Sequence, residues 1–257
     1  MNESPGIGAD TELNVAWPTP EDLLLVTQRN ERRRLYFACK RIFDFSAAAA
    51  LIVLLSPLML LIAIIIMLDT PGPAIFTQPR VGLRRRGHGR GATWELRTFT
   101  FYKFRSMVHG ADPTVHRLFT QALLSNDHET MEEILDGEVE VKKMTKDARI
   151  TRVGRWLRKS SLDELPQIWN VLKGDMSLVG PRPPTIYETE MYDWQQAHRL
   201  GAIPGMTGLW QVEGRSRGNF EDMIEQDLEY VQRQSFWLDL KILALTPIAV
   251  VRARGAG

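Results

Sequence analysis

Cysteine is almost missing: Cys39 stands alone in 257 residues. An internal disulfide is therefore excluded, and a reducing compartment is the expectation. Net charge is almost missing as well. Lys and Arg number 32 against 31 Asp and Glu, leaving +1, so no global field draws the chain to nucleic acid or to a membrane. No internal repeat runs through the sequence. His109, His116 and His128 lack the spacing of a metal site, and a solvated surface is their expected place. Residues 1–35 are polar, with prolines at 5, 18 and 20. They carry none of the early apolar stretch that marks a cleaved signal peptide. They read as a tail with one short helix over 21–34.

What is present is uneven. The run "AAAALIVLLSPLMLLIAIIIML", Ala47 to Leu68, carries no charge. As a helix it is roughly 33 Å long, against about 30 Å for a bilayer core. A wholly buried core helix is the alternative, but such helices are rarely this long and this uncharged. Ser56-Pro57 sits at the centre, where proline removes a backbone donor and a kink is expected. A kinked spanning helix and a helix that enters and returns both fit. The flanks favour return. Arg32, Arg33, Arg34, Lys40 and Arg41 precede the run, and Arg80, Arg84, Arg85 and Arg86 follow it. Basic residues mark the cytoplasmic side, so two basic flanks place both ends there. The Ser56 hydroxyl can serve a backbone group freed at the break.

Downstream, "DTPGPAIFTQPRVG" is turn-rich and then strand-like. "RRRGHGRGA", 84–92, is a basic glycine loop suited to headgroup attraction. "TWELRTFTFYKFRSM" alternates apolar and polar, as a strand or hairpin does. Residues 110–146 are acidic and helix-prone, without a motif. In "ARITRVGRWLRK", Arg149, Arg152, Arg155 and Arg158 recur three apart, beside Ile150, Val153 and Leu157. On a helix that is a basic stripe next to an apolar one. It suits a salt-bridged surface, a lipid headgroup plane or a row of phosphates. Residues 220–251 are helical in pattern. "SFWLDLKILALTPIAVV" is apolar enough to lie on a bilayer, but Asp239 and Lys241 make it a poor span.

"SSLDELPQIWNVLKGDMSLVGPRPP", 160–184, sets Asp163 and Glu164 just before a proline. Ser161-x-x-Glu164 matches a capping box, in which the acids only neutralise a helix start. Pro166 moves the expected start to Asp163, since proline suits a first helical turn. That position also attracts phosphate. Lys103, Arg105, Arg158, Arg182 and Arg215 supply the cations a carboxylate needs to approach a phosphate. Arg182 stands between prolines that fix its backbone, as a preset anion clamp requires.

Over most of its length, roughly Phe37 to Val251, the sequence resembles the bacterial sugar transferases, the monotopic polyprenyl-phosphate phosphoglycosyl transferases. The motifs that carry the resemblance are "KRIFD", the "SP" break, "PGPAIFTQPRVG", "YKFRSM", "DARITRVGRWLRKSSLDELPQIWNVLKGDMSLVGPRPP", "PGMTGLWQVEGRS" and "DLEYVQRQSFWLDLKILALT". The resemblance implies an α+β, helix-dominated monotopic membrane protein. A re-entrant helix over about 42–68, broken at Ser56-Pro57, leads into a cytoplasmic catalytic domain with interfacial helices, the whole domain covering 36–257. It implies that Asp163 is the nucleophile and that Glu164 helps place a magnesium ion or manage a proton, the two acids together holding Mg2+. Lys103, Arg105, Arg158, Arg182 and Arg215 would contact phosphate.

The implied reaction moves a phosphosugar from a nucleotide sugar, usually a uridine one, to polyprenyl (undecaprenyl) phosphate. A nucleoside monophosphate leaves, and the product opens the synthesis of a surface glycan. The implied place is the cytoplasmic face of the bacterial inner membrane, with the lipid bilayer as partner, no nucleic acid, and homo-oligomerisation left open. The sequence departs from the family at Ile203, where a basic residue often precedes "PG". The large N-terminal membrane domain of longer members is not among these 257 residues.

Overall fold

The protein was described from a computed structural model, which covers residue 26 and residues 28–87, 93–111, 114–124, 149–213 and 220–252. The expected helix over 21–34 lies partly outside this set; within it, residues 28–31 are helical. The acidic segment 110–146 lies mostly outside, apart from a helix over Thr114–Leu124.

The first long element, α1, spans Arg34–Asp69. It is apolar enough to cross a membrane, and only 11% of its most apolar window is buried. Val53, Leu54, Leu60 and Leu68 are each more than 60% exposed. A core helix would bury those side chains, so the buried-helix alternative is excluded. Helical structure continues through Pro57, where an interruption was expected. The physical reason is local. Proline at 57 leaves the Val53 carbonyl without its i+4 donor, and the Ser56 hydroxyl donates to that same carbonyl at 2.9 Å.

α1 leads into a hairpin of β1 (Ile75–Arg86) and β2 (Thr93–Phe104). The strands are antiparallel, from Ile75 opposite Phe104 to Arg86 opposite Thr93, as the alternation in "TWELRTFTFYKF" predicts. After α2 (Thr114–Leu124) come α3 (Arg152–Ser160), a 3-10 turn (Leu162–Glu164) and α4 (Gln167–Lys173). The short strands β3 (Ser177–Val179) and β4 (Gly205–Thr207) pair in parallel. Between them lie α5 (Ile186–Glu190) and α6 (Trp194–Ala197). The short α7 (Leu209–Glu213), then α8 (Phe220–Arg233) and α9 (Phe236–Arg252), complete the described chain. The helical pattern over 220–251 is thus two helices, parted at Gln234-Ser235.

Two apolar clusters fix this arrangement. Ala48, Leu51, Ile52 and Leu55 of α1 pack with Phe99, Phe101, Ile168, Val171, Leu178, Tyr230 and Ile242. Past Pro57, Met59, Ile62, Ala63 and Ile66 pack with Phe104, Val153, Leu157 and Leu162. Both halves of α1 therefore rest on one domain.

The polar groups say the same. Lys40 Nζ reaches Asp239 Oδ2 at 2.7 Å and the Val179 carbonyl at 3.0 Å. Tyr36 and Tyr230 hydroxyls donate to the same Asp239. Asp44 accepts from the Leu178 N–H, and Arg41 donates to the Val171 and Leu172 carbonyls. Lys40 and Arg41 thus join the long apolar helix to the rest of the domain. At the other end, Arg105 donates to the carbonyls of Thr70 and Pro71, both at 2.6 Å, and more weakly to Ile66.

Candidate active site

Three segments converge: the end of β2, the junction from α3 to the 3-10 turn, and the proline turn after β3. Each is positioned by backbone contacts. Thr151 caps α3 by accepting from the Gly154 N–H at 2.9 Å. A Cβ on Gly154 would lie 2.0 Å from the Ser106 carbonyl oxygen, so only glycine lets α3 approach the chain leaving β2. That approach brings Arg158 Nε to 2.9 Å from the Ser106 hydroxyl.

Ser161 ends α3 in the left-handed conformation, φ 56°. For a residue with a Cβ this costs roughly 1–2 kcal/mol. It turns the chain sharply into the 3-10 turn that carries Asp163 and Glu164. The capping box suggested by Ser161 and Glu164 is not formed, since Ser161 makes no side-chain cap hydrogen bond. The α-helix proper starts after Pro166, at Gln167.

Asp163 is 6% exposed. Its Oδ2 lies 3.8 Å from Lys103 Nζ. Burial pushes the Lys103 amine down to about 8. Asp163 and Glu164 pull it back up, while Arg158 and Arg182 add to the fall. Lys103, Arg158, Asp163, Glu164 and Arg182 therefore share one electrostatic neighbourhood, with three cations around two carboxylates.

Arg182 is exposed, and the turn that carries it is held by its carbonyls. In the turn 181–184 every carbonyl accepts a hydrogen bond. Pro181 takes the Gly205 N–H, Arg182 takes Arg199, Pro183 takes Arg80, and Pro184 takes the Val81 N–H. Arg80 is itself buried and lies 3.7 Å from Glu188. Burial and then Arg182 lower its pKa to about 10. Burial pushes the Glu188 carboxyl up, but Arg80 and Arg182 outweigh it and hold the group below its ordinary value. Arg199 pairs with Asp227 in the interior. The arginine between prolines is thus fixed by two further arginines: Arg80, read from the sequence only as a flank of the apolar run, and Arg199, which sequence reasoning passed over. In the sequence nothing marks either as buried.

Asn170 was missed too. It is fully buried on α4. Its amide donates to the Thr100 carbonyl at 2.6 Å and accepts the Tyr102 N–H at 3.2 Å. The helix that follows the acid pair is thereby locked to the strand that carries Lys103. The available signal was an amide set between Ile168 and Val171, both core residues.

The remaining expected residues fall elsewhere or outside. Arg105 is 5% exposed, and its guanidinium serves the carbonyls that end α1. Arg215 lies outside the described residues. The expected basic loop over 84–92 is corrected at its start: Arg84, Arg85 and Arg86 pair with β2 as the end of β1, where they lie near Asp175, Glu31 and Glu95, and residues 88–92 lie outside the described set. Ile203, where a basic residue is common, packs against the cluster of Phe37, Leu83 and Trp94. Among the described residues no group of three or more His, Cys, Asp or Glu side chains is placed to hold a metal. Two adjacent carboxylates still suit magnesium, which takes one or two carboxylates and completes its shell with water and substrate phosphate.

The model of the bacterial sugar transferase family matches residues 35–253. The chain is 44% identical over 186 residues to the galactosyl transferase CpsE of Streptococcus agalactiae serotype III, covering 72% of this chain and 36% of that protein. It is 41% identical over 237 residues to the undecaprenyl-phosphate galactose phosphotransferase of Salmonella typhimurium, covering 92% and 45%. It is 39% identical over 206 residues to the UDP-glucose:undecaprenyl-phosphate glucose-1-phosphate transferase of Xanthomonas campestris pv. campestris, covering 76% and 35%. The chain spans less than half the length of each of these relatives.

Proposed function

Because the chain belongs to the bacterial sugar transferase family, we propose that it is a polyprenyl-phosphate sugar-1-phosphate transferase that works through a covalent aspartyl intermediate. The observation that carries this reading is Asp163, buried 3.8 Å from Lys103, with Arg158 and Arg182 in the electrostatic neighbourhood of that lysine. A carboxylate is a weak nucleophile toward a phosphate diester, chiefly because like charges repel. The three cations offset that repulsion and meet the charge that develops on the phosphoryl oxygens.

In the first displacement, an Asp163 oxygen attacks the sugar-side phosphorus of a nucleoside diphosphate sugar. The bond from that phosphorus to the bridging oxygen breaks, and the nucleoside monophosphate leaves with the electron pair. Asp163 then carries the phosphosugar as an acyl phosphate. In the second, an oxygen of the lipid phosphate attacks the same phosphorus, and the Asp163 carboxylate is regenerated. Lys103 and Arg158 hold the phosphoryl oxygens, and Arg182 holds the departing or arriving phosphate from its fixed turn. Magnesium, held by Asp163 and Glu164, would add charge neutralisation at the diphosphate. A uridine donor and an undecaprenyl acceptor are favoured, because the Xanthomonas campestris and Salmonella typhimurium relatives are named for them.

A membrane lipid and a soluble nucleotide meet only at a membrane surface. The exposed apolar face of α1 supports placing that helix in the bilayer. Its two halves dock on one domain, which supports re-entry through one leaflet. A straight helix of 36 residues would carry its far end about 54 Å away. The inner membrane's cytoplasmic face, where nucleotide sugars are made, follows as the site of action. The test is to quench enzyme with donor and no acceptor, and to weigh Asp163 peptides for the added phosphosugar. An adduct on Asp163 and release of monophosphate are expected. Release of a nucleoside diphosphate, or no adduct under turnover conditions, overturns the reading.

A further inference from the structure

A second anion-binding feature lies away from the acid pair and shares no lining residue with it. It is a notch of about 670 Å³ between the start of α1 and the junction of α8 with α9. Arg32, Arg33, Arg34 and Arg233 line it, with Glu31 as its one carboxylate. Glu31 lies near Arg34 and Arg85, and Arg233 pairs with Glu229. Arg33 is held in place by the carbonyls of Gln232 and Gln234, at 3.1 and 3.3 Å.

Two helices begin at this notch. The first turn of α1 has no side-chain cap, and α9 starts at Phe236 on its wall. α1 presents the positive end of its dipole uncapped, whereas α9 is capped by Ser235 and α8 ends here with the Gln232 and Gln234 carbonyls turned to Arg33. Gln234 also lines the notch and is 96% buried, being 4% exposed. Its amide nitrogen is a buried donor with no partner among the described residues. A buried donor left unpaired costs about 1–3 kcal/mol, so an acceptor is expected to fill the place.

The notch opens onto an apolar track. Leu35, Ala38, Cys39, Ile42 and Phe45 are exposed along one face of α1. Their spacing of three to four residues keeps them in line, and the line runs from the arginines into the apolar segment. Trp237, 80% exposed, follows Phe236 of the notch wall in α9. Aromatic residues of this kind favour the headgroup level.

We propose that the notch holds the phosphate of an anionic phospholipid, with the acyl chains lying along the Leu35–Phe45 face. Arginine suits a phosphate because its planar fork donates two parallel bonds. The apolar track selects a lipid over a free anion. This rests on the membrane placement of α1 and is independent of the catalytic reading.

Full-length protein in detergent is titrated with phosphatidylglycerol, phosphatidylcholine or inorganic phosphate while the Tm is followed. Phosphatidylglycerol is expected to raise the Tm beyond the effect of phosphatidylcholine at equal mole fraction, and inorganic phosphate is expected to do nothing comparable. Arg32 is exposed and Arg233 is 71% exposed, so an Arg32→Gln/Arg233→Gln variant keeps its fold. Its apparent affinity for phosphatidylglycerol should fall roughly thirtyfold, as two interfacial arginines predict. Gln234→Leu removes the orphan donor without changing charge and should weaken binding about tenfold. Equal responses to the two lipids, or an unchanged response in the double variant, overturn the proposal. A phosphate response that matches phosphatidylglycerol overturns the lipid assignment in favour of a free-anion site. Flotation with pure phosphatidylcholine vesicles reports the membrane placement separately. Its failure would sink that placement, whereas loss of headgroup preference alone sinks the notch.

Discussion

Lys103→Arg offers a direct test of the charge arrangement. Burial beside Arg158 and Arg182 brings the Lys103 amine from the ordinary 10.5 to about 8. That fall corresponds to roughly 3 kcal/mol in favour of the neutral amine. Below about pH 8 Lys103 is an ammonium and can hold a phosphoryl oxygen. Above it the proton is lost, and the cationic fraction drops about tenfold for each further pH unit. The pH dependence of kcat/KM reports the free enzyme, so kcat/KM should fall on the alkaline side with a midpoint near 8. The guanidinium of an arginine keeps its charge throughout this range. Lys103→Arg should therefore lower kcat/KM at pH 7, because its shape differs, yet abolish the alkaline limb. The assay is release of nucleoside monophosphate from pH 6.5 to 9.5, with donor well below KM. A wild-type profile that stays flat to pH 9.5, or an arginine variant that keeps the limb, would refute the reasoning.

Asp163→Asn should cut turnover by about a thousandfold or more, while flotation and Tm show a folded, membrane-bound protein. Lys40→Met should destabilise by about 3–5 kcal/mol, because Asp239 is left as a buried charge without its partner; thermal unfolding in detergent measures this, and adding Asp239→Asn should recover part of it. Asn170→Ala strands the Thr100 carbonyl and the Tyr102 N–H, so a loss of roughly 2–4 kcal/mol is expected, together with a lower kcat from the displaced Lys103. Gly154→Ala sets a Cβ against the Ser106 carbonyl and should cost about 1–3 kcal/mol, with a rise in KM as Arg158 moves.

The elements that could be read in advance are those whose signal is local. β2 follows from alternation, β1 from a strand-like stretch after turn residues, and α1 from an uncharged apolar run. Elements made by distant partners were hidden. Ser177–Val179 and Gly205–Thr207 are too short to show a period, and their parallel pairing joins segments with two helices between them. Ser161 reads as a cap because its neighbours spell one, but a left-handed φ depends on how α3 meets Ser106. Arg105 reads as a phosphate ligand beside Lys103. Side chains two apart share a face on a strand, which is why the sequence sets the pair together; but β2 ends at Phe104, and just past it Arg105 turns toward the end of α1. Lys40 and Arg41 look like topology signals, and only the fold reveals that Asp239 and the end of α4 receive them.

The bond from Lys40 to Asp239 spans 199 residues of chain. At ordinary rates of synthesis the ribosome needs roughly 10–40 s to cover that interval. On the proposed membrane placement, the nascent hydrophobic segment meets lipid long before its counter-charge exists. Locking then waits until α9 emerges and neutralises the ammonium. A chain cut short before that helix would sit in the membrane with an uncompensated charge at its root, a distinctive mark for the proteases that clear unfinished products.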